Sequence, residues 1–421
     1  MGILLGAIAD DFTGATDLAN MLVTRGMRTL QTIGVPDAGM DTGDAEAVII
    51  ALKSRTAPVR QAVDQSLAAL AWLQRRGAQQ FFFKYCSTFD STADGNIGPV
   101  ADALMDALET DFALVCPAFP TNKRTIYQGH LFVGGQLLSD SPMKDHPLTP
   151  MRDSSLVRLM AAQTRRPVGL IPWPVVASGE EPVARAIDAL RGKGVAYGVA
   201  DAITDYDLEV IGTAAAGHVL ITGGSGVALG LPDNFRRQGL MGAGSVPALP
   251  AVEGRAVVLA GSCSQATRQQ VAFASRRWPH WKLDAGRIAE GAPVLREVFD
   301  WAAAQAEDTP ILIYSSADPD EVAAIQARYG RDRAGAMMET TLGAIAKGLV
   351  DAGARRLVVA GGETSGAVVS ALGVTGLRIG PEIDPGVPWT ETIGGPRLAL
   401  ALKSGNFGSE DFFSKAIGML P

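Results

Sequence analysis

Cysteine and histidine are scarce in this chain, and their spacing excludes the commonest metal and disulfide frameworks. Three cysteines and four histidines occur among 421 residues. No two cysteines form a Cys-x-x-Cys pair, and no histidines have His-Glu-x-x-His spacing, so neither a zinc site nor a disulfide scaffold is expected. Reduced thiols in a cytosolic protein are therefore the expected state of Cys86, Cys116 and Cys263.

Basic residues are outnumbered as well. The chain has 37 Lys and Arg against 44 Asp and Glu, a formal net charge of -7, and no Lys/Arg-rich run. Binding to a phosphate backbone needs a basic footprint, so nucleic acid is excluded as the main ligand. A small anion remains compatible with this charge, because it needs only a local cluster of donors.

Long apolar runs are missing too. The first residues, MGILLGAIADDFTG, reach two aspartates before an apolar stretch becomes long enough for a signal peptide or membrane helix. We therefore expect a cytoplasmic protein with no membrane partner. A Gly-x-x-x-x-Gly-Lys-[Ser/Thr] motif is also lacking, which excludes a standard P-loop enzyme. The glycines of residues 223–230 miss the Gly-x-Gly-x-x-Gly spacing of dinucleotide-binding loops by one residue. A Rossmann oxidoreductase is therefore a weaker alternative.

What the sequence does have is a recurring alternation of short apolar segments and amphipathic segments. This alternation predicts an α/β fold, in which mainly parallel sheets are flanked by helices. Because 421 residues exceed what one core usually organises, we expect two such domains, residues 1–231 and 254–421, joined by a Gly- and Pro-rich linker at 232–253. Residues 121–154 interrupt the alternation and are expected to form an irregular functional segment, within which residues 146–153 form a lid or a dimer contact.

Polar residues follow the predicted strands, where ligands bind in open α/β sheets. After the first strand come Asp10 and Asp11, and then Thr13 and Gly14 at the start of a helix. One carboxylate could hold a sugar hydroxyl while the other acts as a base or metal partner. The alternative interpretation is that one aspartate simply caps the helix.

Cations and hydroxyls follow two further strands of the same predicted sheet. Arg55 comes after AVIIAL, and Lys84, Ser87 and Thr88 end or follow FFFKY. Arg suits a carboxylate because its planar fork pairs with both oxygens. Singly, such charges are usually solvated surface residues, but their recurrence after successive strands favours a site for a sugar acid.

Three turns rich in Gly and Ser occur in the second predicted domain. Glycine lets the backbone approach a phosphate closely, and a helix N-terminus favours negative charge, so we expect a nucleotide site there. The candidate residues are Ser262, Ser264, Gly361, Gly362, Glu363, Thr364, Ser365, Lys403, Ser404, Gly405 and Asn406.

Taken in order, these motifs resemble the four-carbon acid sugar kinase family. The resemblance rests on residues 10–15 (DDFTGA), 84–96 (KYCSTFDSTADGN), 117–133 (PAFPTNKRTIYQGHLFV), 260–264 (AGSCS), 360–366 (AGGETSG) and 403–408 (KSGNFG). It implies a sugar-acid-binding N-terminal domain, a nucleotide-binding C-terminal domain and an active-site cleft between them. By this resemblance the Asp10, Arg55 and Lys84 turns bind the acid, and the later turns bind ATP.

The implied reaction transfers the γ-phosphoryl group of ATP, with Mg²⁺, to the terminal hydroxyl of a four-carbon sugar acid. Asp10, Asp11 and Glu363 are rival catalytic carboxylates, and no metal ligand set is assigned. Residues 84–96 replace the K-x-D-S-T-L-R-G-N pattern of many members and favour the 3-oxo-tetronate branch. The alternatives are a threonate or erythronate kinase and a non-catalytic sugar-acid sensor. A homodimer is the favoured assembly.

Overall fold

The computed structural model describes residues 2–146, 149–242, 244 and 252–420. The chain divides into two compact units, Met1–Val246 and Pro247–Pro421. Each unit is built from mainly parallel strands flanked by helices, so the predicted fold class is confirmed. Of the predicted linker at 232–253, residues 232–237 are helical, and residues 243 and 245–251 lie outside the described part.

The first unit is built on a parallel sheet. Its strands take the order β2-β3-β1-β4-β11-β5-β10-β9, and all their pairings are parallel. Segments such as LGAIA in β1 are buried along their whole length, as expected for strands covered on both faces. The strands are β1 (Leu5–Ala9), β2 (Thr29–Ile33), β3 (Ala47–Ala51), β4 (Gln80–Lys84), β5 (Ala113–Cys116), β6 (Arg124–Tyr127), β7 (His130–Val133), β8 (Gln136–Leu137), β9 (Val168–Ile171), β10 (Tyr197–Ala200) and β11 (Leu220–Gly223).

Helices connect most of these strands. They are α1 (Phe12–Thr24), α2 (Val59–Arg75), α3 (Ile97–Ala107), α4 (Leu156–Gln163), α5 (Trp173–Val176), α6 (Glu180–Arg191), α7 (Asp205–Ala214) and α8 (Leu231–Arg237). Trp72 of α2 and the rings of β4 are almost fully buried, which anchors this part of the unit by apolar burial.

The segment predicted to be irregular, residues 121–154, contains a small antiparallel sheet, β6-β7-β8. The expectation of an irregular segment was therefore wrong for residues 124–137. Gln128 and Gly129 have φ of 52° and 72°, which makes the tight turn between β6 and β7. The carboxylate of Asp201 accepts hydrogen bonds from both of their N–H groups, at 2.7 and 2.8 Å. His130, an isolated histidine of this segment, lies 2.9 Å from Ser154 Oγ through its Nδ1.

The strands of the second unit are mainly parallel and take the order β13-β14-β12-β15-β18-β17-β16. The pairings from β13 to β18 are parallel, whereas β18-β17 and β17-β16 are antiparallel. The turn at Gly386, with φ of 81°, joins β16 to β17 directly and so makes them antiparallel. The strands are β12 (Arg255–Ala260), β13 (His280–Lys282), β14 (Ile311–Tyr314), β15 (Ala354–Ala360), β16 (Gly376–Asp384), β17 (Val387–Ile393) and β18 (Ala399–Lys403).

The helices of the second unit pack on this sheet around an aromatic core. Trp389, Phe412 and Phe413 are almost fully buried, and the Trp389 indole donates to the Ala416 carbonyl at 2.9 Å. The helices are α9 (Gln265–Ser275), α10 (Ala285–Ala289), α11 (Val294–Ala303), α12 (Pro319–Tyr329), α13 (Arg331–Asp351), α14 (Gly362–Ala371) and α15 (Phe412–Gly418). Within the described ranges, no helix combines the length and the apolar character needed to cross a bilayer.

Candidate active site

The first cluster of functional side chains forms where β3, β1 and β4 end side by side. Ala9 pairs with Ala51 of β3 and with Lys84 of β4, so the residues that follow these strands meet at one edge. The backbone joins them further, because Asp10 N–H donates to the Lys84 carbonyl at 3.0 Å. The Asp10 carbonyl in turn accepts the Arg55 N–H at 3.3 Å. The sequence expectation that these turns converge is met by this geometry.

Arg55 lies at the centre of the cluster. Its Nε and Nη2 donate to the two carboxylate oxygens of Asp10 at 2.8 and 2.9 Å, and Nη2 also lies 2.8 Å from Asp11 Oδ1. Burial disfavours the charge of Arg55, but the two carboxylates raise its pKa well above the ordinary value. One guanidinium therefore bridges two adjacent aspartates.

The two aspartates differ electrostatically. Burial raises the pKa of Asp10 against the opposing charge of Arg55, and its side chain is nearly inaccessible. Burial acts in the same direction on Asp11, but Arg55, Lys84 and two hydrogen bonds together lower the pKa of Asp11. Those bonds come from Thr13 Oγ1 at 2.9 Å and Gly14 N–H at 3.1 Å. Asp11 thus caps α1, the alternative that the sequence left open.

Lys84 and Gly14 approach each other closely beside Asp11. A Cβ added at Gly14 would lie 2.9 Å from Lys84 Nζ and 2.3 Å from Asp11 Oδ1, so this position has no room for a side chain. Lys84 is buried, and its ammonium donates to the Tyr85 carbonyl at 2.8 Å. An ammonium has three donors, so Lys84 keeps donors for an anion placed at this helix N-terminus.

Asn96 was not among the predicted site residues, yet it holds the Arg55 turn in place. Its Nδ2 donates to the carbonyls of Ser54 at 2.7 Å, Arg55 at 3.2 Å and Ala57 at 2.9 Å. Asn96 is buried, so these bonds are shielded from water. The sequence marked Asn96 only as the last residue of the 84–96 motif. That motif does not reveal which carbonyls the Asn96 side chain binds.

Asp90 is a second residue that the site prediction missed. It follows Ser87 and Thr88 in the turn after β4, and Thr88 Oγ1 donates to Asp90 Oδ1 at 2.7 Å. Thr88 and Asp90 are buried, whereas Ser87 is half-buried. Asp90 Oδ2 lies 3.8 Å from Arg55 Nη1, so it joins the same cluster at longer range.

In the second unit, the three predicted Gly/Ser turns also meet, because β12, β15 and β18 are neighbours. Gly261 and Ser262 donate backbone N–H groups to the Ala360 carbonyl at 3.0 and 3.1 Å. Ser264, which caps α9, donates through Oγ to the Gly405 carbonyl at 2.5 Å. Gly361 has φ of 129°, a conformation that favours glycine, and it precedes the N-terminus of α14.

A cavity of about 360 Å³ opens beside two of these turns. Its walls combine apolar side chains of α12 and α13 with the polar backbone of the turns, as a nucleoside and its phosphates require. The predicted residues that line it are Ser262, Gly361, Gly362, Glu363 and Thr364. Glu363 is exposed and stands in the first turn of α14.

Other predicted nucleotide-site residues do not line this cavity. Lys403, Ser404, Gly405 and Asn406 are not among the described residues that line it. Ser365 is fully buried, and its Oγ has no hydrogen-bond partner in the part of the chain that the structure describes. The residues whose side chains face an open pocket are thus fewer than the motif suggests.

Lys403 is buried beneath the turn that it begins. Its Nζ donates to Thr267 Oγ1 at 3.1 Å, to the Ser404 carbonyl at 2.9 Å and to the Gly405 carbonyl at 3.0 Å. Three acceptors match the three donors of an ammonium. Burial lowers the pKa of Lys403 to about 7. Lys403, which was predicted to contact the nucleotide, therefore stabilises the 403–408 turn through hydrogen bonds to its carbonyls.

Comparison with known proteins also finds two domains in this chain, one that binds a sugar and one that binds a nucleotide. The family model of a sugar-binding N-terminal domain matches residues 5–231, and that of a nucleotide-binding C-terminal domain matches residues 257–413. Chains that combine these two domains form the class to which the fold and the two clusters point.

Full-length relatives place the chain more narrowly. A 3-oxo-tetronate kinase of Pseudomonas fluorescens is 58% identical over 99% of this chain and 97% of its own, and one of Cupriavidus necator is 56% identical with the same coverage. A crystal structure from Salmonella typhimurium, described as a candidate tRNA synthase, has a TM-score of 0.91 and 45% identity over 99% of each chain. The chain belongs to the four-carbon acid sugar kinase family, in the branch of these 3-oxo-tetronate kinases.

Proposed function

We propose that this protein is an ATP-dependent kinase that phosphorylates the 4-hydroxyl of 3-oxo-tetronate. The observation that carries the proposal is the 58% identity, over nearly the whole chain, to a protein named 3-oxo-tetronate kinase. The two clusters support it independently. One offers buried cations and carboxylates for a small hydroxy acid, and the other offers a cavity with a glycine-rich turn at a helix N-terminus.

On the substrate side, Lys84 and Arg55 hold the carboxylate of the acid. Two donors of Lys84 and the Nη1 group of Arg55 have no hydrogen-bond acceptor among the described residues, so they are available to an anion. The remaining Arg55 donors stay on Asp10 and Asp11, which fixes the guanidinium before substrate binds.

On the nucleotide side, the apolar wall of the cavity takes the base and the Gly361–Thr364 turn takes the phosphates. The free N–H groups in the first turn of α14 are suited to negative charge. Mg²⁺ would neutralise phosphate charge during transfer. Glu363 would hold it, since Mg²⁺ commonly uses one or two carboxylates with phosphate oxygens and water. Among the described residues, no group of three or more His, Cys, Asp or Glu forms a cage for a metal.

Of the rival carboxylates, Asp10 is better suited than Asp11 to accept the hydroxyl proton. A proton acceptor works best when its pKa lies near the working pH. The pKa of Asp10 is raised by burial, whereas that of Asp11 is lowered, and Asp11 already caps α1. Glu363 serves the metal in this proposal. The predicted homodimer does not enter it, because every contact used lies within one chain.

The decisive experiment is an assay of ADP release with ATP, Mg²⁺ and a panel of four-carbon acids. We expect turnover with 3-oxo-tetronate and far slower turnover with threonate and erythronate. Turnover with threonate or erythronate alone would replace the proposed substrate by the alternative one. Binding of acid and ATP in calorimetry without ADP release would instead identify a sensor.

A further inference from the structure

The turn after β4 contains two successive residues in an uncommon backbone conformation. Phe89 and Asp90 have φ of 64° and 42°, in the left-handed region that side chains other than glycine rarely adopt. Such residues cost about 1–3 kcal/mol each and persist only when their surroundings hold them. Phe89 is held by burial, with its ring centroid 5.6 Å from that of Tyr85. The Asp90 N–H donates to the Thr88 carbonyl at 2.8 Å.

This conformation turns the Asp90 carboxylate back onto its own turn. Thr88 Oγ1 donates its hydrogen to Asp90 Oδ1, so the contact of 3.1 Å between Thr88 Oγ1 and Cys86 Sγ uses the thiol hydrogen. Burial, and next the nearby Asp90 charge, raise the pKa of Cys86 to about 12, which keeps that hydrogen in place. Thr88 thus fixes one carboxylate oxygen of Asp90, and the Cys86 thiol lies beside both Thr88 and Asp90.

The other oxygen of Asp90, Oδ2, is the one next to Arg55. Oδ2 lies 3.8 Å from Arg55 Nη1, beyond hydrogen-bond distance, and the Cys86 thiol is another donor beside this carboxylate. Asp90 is only 9% exposed. An acceptor and a donor, Asp90 Oδ2 and Arg55 Nη1, therefore lie side by side without a hydrogen bond between them.

We propose that Asp90 binds the 2-hydroxyl of the sugar acid through Oδ2 and so determines specificity for 2-hydroxy acids. The inference rests on the proposed function, which places the substrate carboxylate at Arg55 Nη1 and Lys84. The 2-hydroxyl is attached to the carbon next to that carboxylate, and Asp90 Oδ2 is the acceptor next to Arg55 Nη1. The hydroxyl donates to Asp90, while Arg55 and Lys84 offset the repulsion between the two carboxylates.

The test compares two acids in wild type and in Asp90→Asn. Asparagine keeps the size and the acceptor for Thr88 but replaces Oδ2 by a donor. For 3-oxo-tetronate we expect kcat/KM to fall about 10- to 100-fold, the usual worth of a hydrogen bond to a charged group. For 4-hydroxy-3-oxobutanoate, which lacks only the 2-hydroxyl, we expect wild type and variant to agree within about threefold. The KM for ATP should not change.

Two further variants separate this role from a structural one. Asp94→Asn alters an exposed carboxylate of the same turn and should leave kcat/KM within about twofold. Thr88→Val frees Asp90 Oδ1 and should lower kcat/KM for 3-oxo-tetronate more than for the analogue. An equal loss by Asp90→Asn on both acids, or no loss on either, would overturn the proposal.

Calorimetry distinguishes failure of this inference from failure of the proposed function. If wild type binds 3-oxo-tetronate without phosphorylating it, the kinase assignment fails. The role of Asp90 is then decided by comparing how tightly wild type and Asp90→Asn bind each of the two acids. If wild type binds neither acid, both proposals fall. If wild type turns over and Asp90→Asn is unaltered in the ratio of the two acids, the inference about Asp90 alone is wrong.

Discussion

At the residue scale, Arg55 gives the first cluster its electrostatic balance. It is the one cation that contacts Asp10 and Asp11 together within the described residues, and Asn96 fixes the backbone from which it extends. Two carboxylates so close together, one buried and one half-buried, would otherwise repel each other strongly. The arrangement explains how acidic side chains can lie in a site for an anionic substrate.

We therefore expect Arg55→Lys to damage both catalysis and stability. An ammonium cannot reproduce the forked contact with Asp10 while also reaching Asp11. The expected losses are at least about 100-fold in kcat/KM and about 2–4 kcal/mol in the free energy of unfolding, because a buried carboxylate loses its partner. Steady-state kinetics and urea denaturation measure these losses. Arg60→Lys, at a 94% exposed side chain, is the matched control and should change neither quantity. Wild-type-like behaviour of Arg55→Lys would refute the central role of the guanidinium.

Lys403 makes stability depend on pH in a defined direction. Burial lowers its pKa to about 7 in the folded protein, against an ordinary value of 10.5. Between pH 7 and pH 10.5, Lys403 is protonated in the unfolded chain but largely deprotonated in the folded one. The free energy of unfolding therefore rises with pH from about pH 7 upward. Compared with Lys403→Met, wild type should gain at most about 1.4 kcal/mol per pH unit. Denaturation curves from pH 7 to 8.5 test this, and a constant difference between the two proteins would contradict it.

The pH range of that comparison is limited by the thiols. Burial raises the pKa of Cys86 and of Cys116 to about 12, from an ordinary value of 9.0. The folded state therefore keeps protons that the unfolded chain loses above about pH 9, and stability falls there. Subtracting the Lys403→Met curve removes this shared contribution.

At the element scale, the 403–408 turn is held from behind by α9. Gln270 is buried on that helix, and its Nε2 lies 3.0 Å from each of the Phe407, Gly408 and Ser409 carbonyls. Lys403 holds two more carbonyls of the same turn. With its carbonyls engaged inside the protein, the turn supports Ser264 and the neighbouring glycine turns of the cavity.

Gln270→Leu is expected to loosen this turn. The three carbonyls would lose their donor in a buried place, which costs about 1–3 kcal/mol of stability. We expect the KM for ATP to rise several-fold, while the KM for the sugar acid stays close to wild type. Gln269→Leu changes an exposed residue of the same helix and should be neutral. A rise in the KM for the acid instead of ATP would count against a nucleotide role for this turn.

At the scale of the whole molecule, the two ligands should protect different units. Hydrogen exchange of the intact protein measures this peptide by peptide. A non-hydrolysable ATP analogue should slow exchange in residues 261–267 and 361–366. The sugar acid should slow exchange in residues 10–16, 54–57 and 84–92. Protection of the first unit by the nucleotide alone would contradict the assignment of the two sites.

The sequence by itself determined the class of fold and the kind of chemistry. Buried strands are continuous apolar runs, and glycine turns and helix caps are set by local residue preferences, so both can be inferred without coordinates. The polar turns after β1, β3 and β4 were found in this way, as were those after β12, β15 and β18. Convergence of each set follows from neighbouring parallel strands.

Only the tertiary structure decided what each side chain in those turns does. The Asn96 side chain binds carbonyls about 40 positions earlier in the chain, and Lys403 binds Thr267, which lies 136 positions before it. The backward turn of Asp90 depends on the packing of Phe89. Contacts of this range depend on strand order and core packing, which local sequence patterns do not encode.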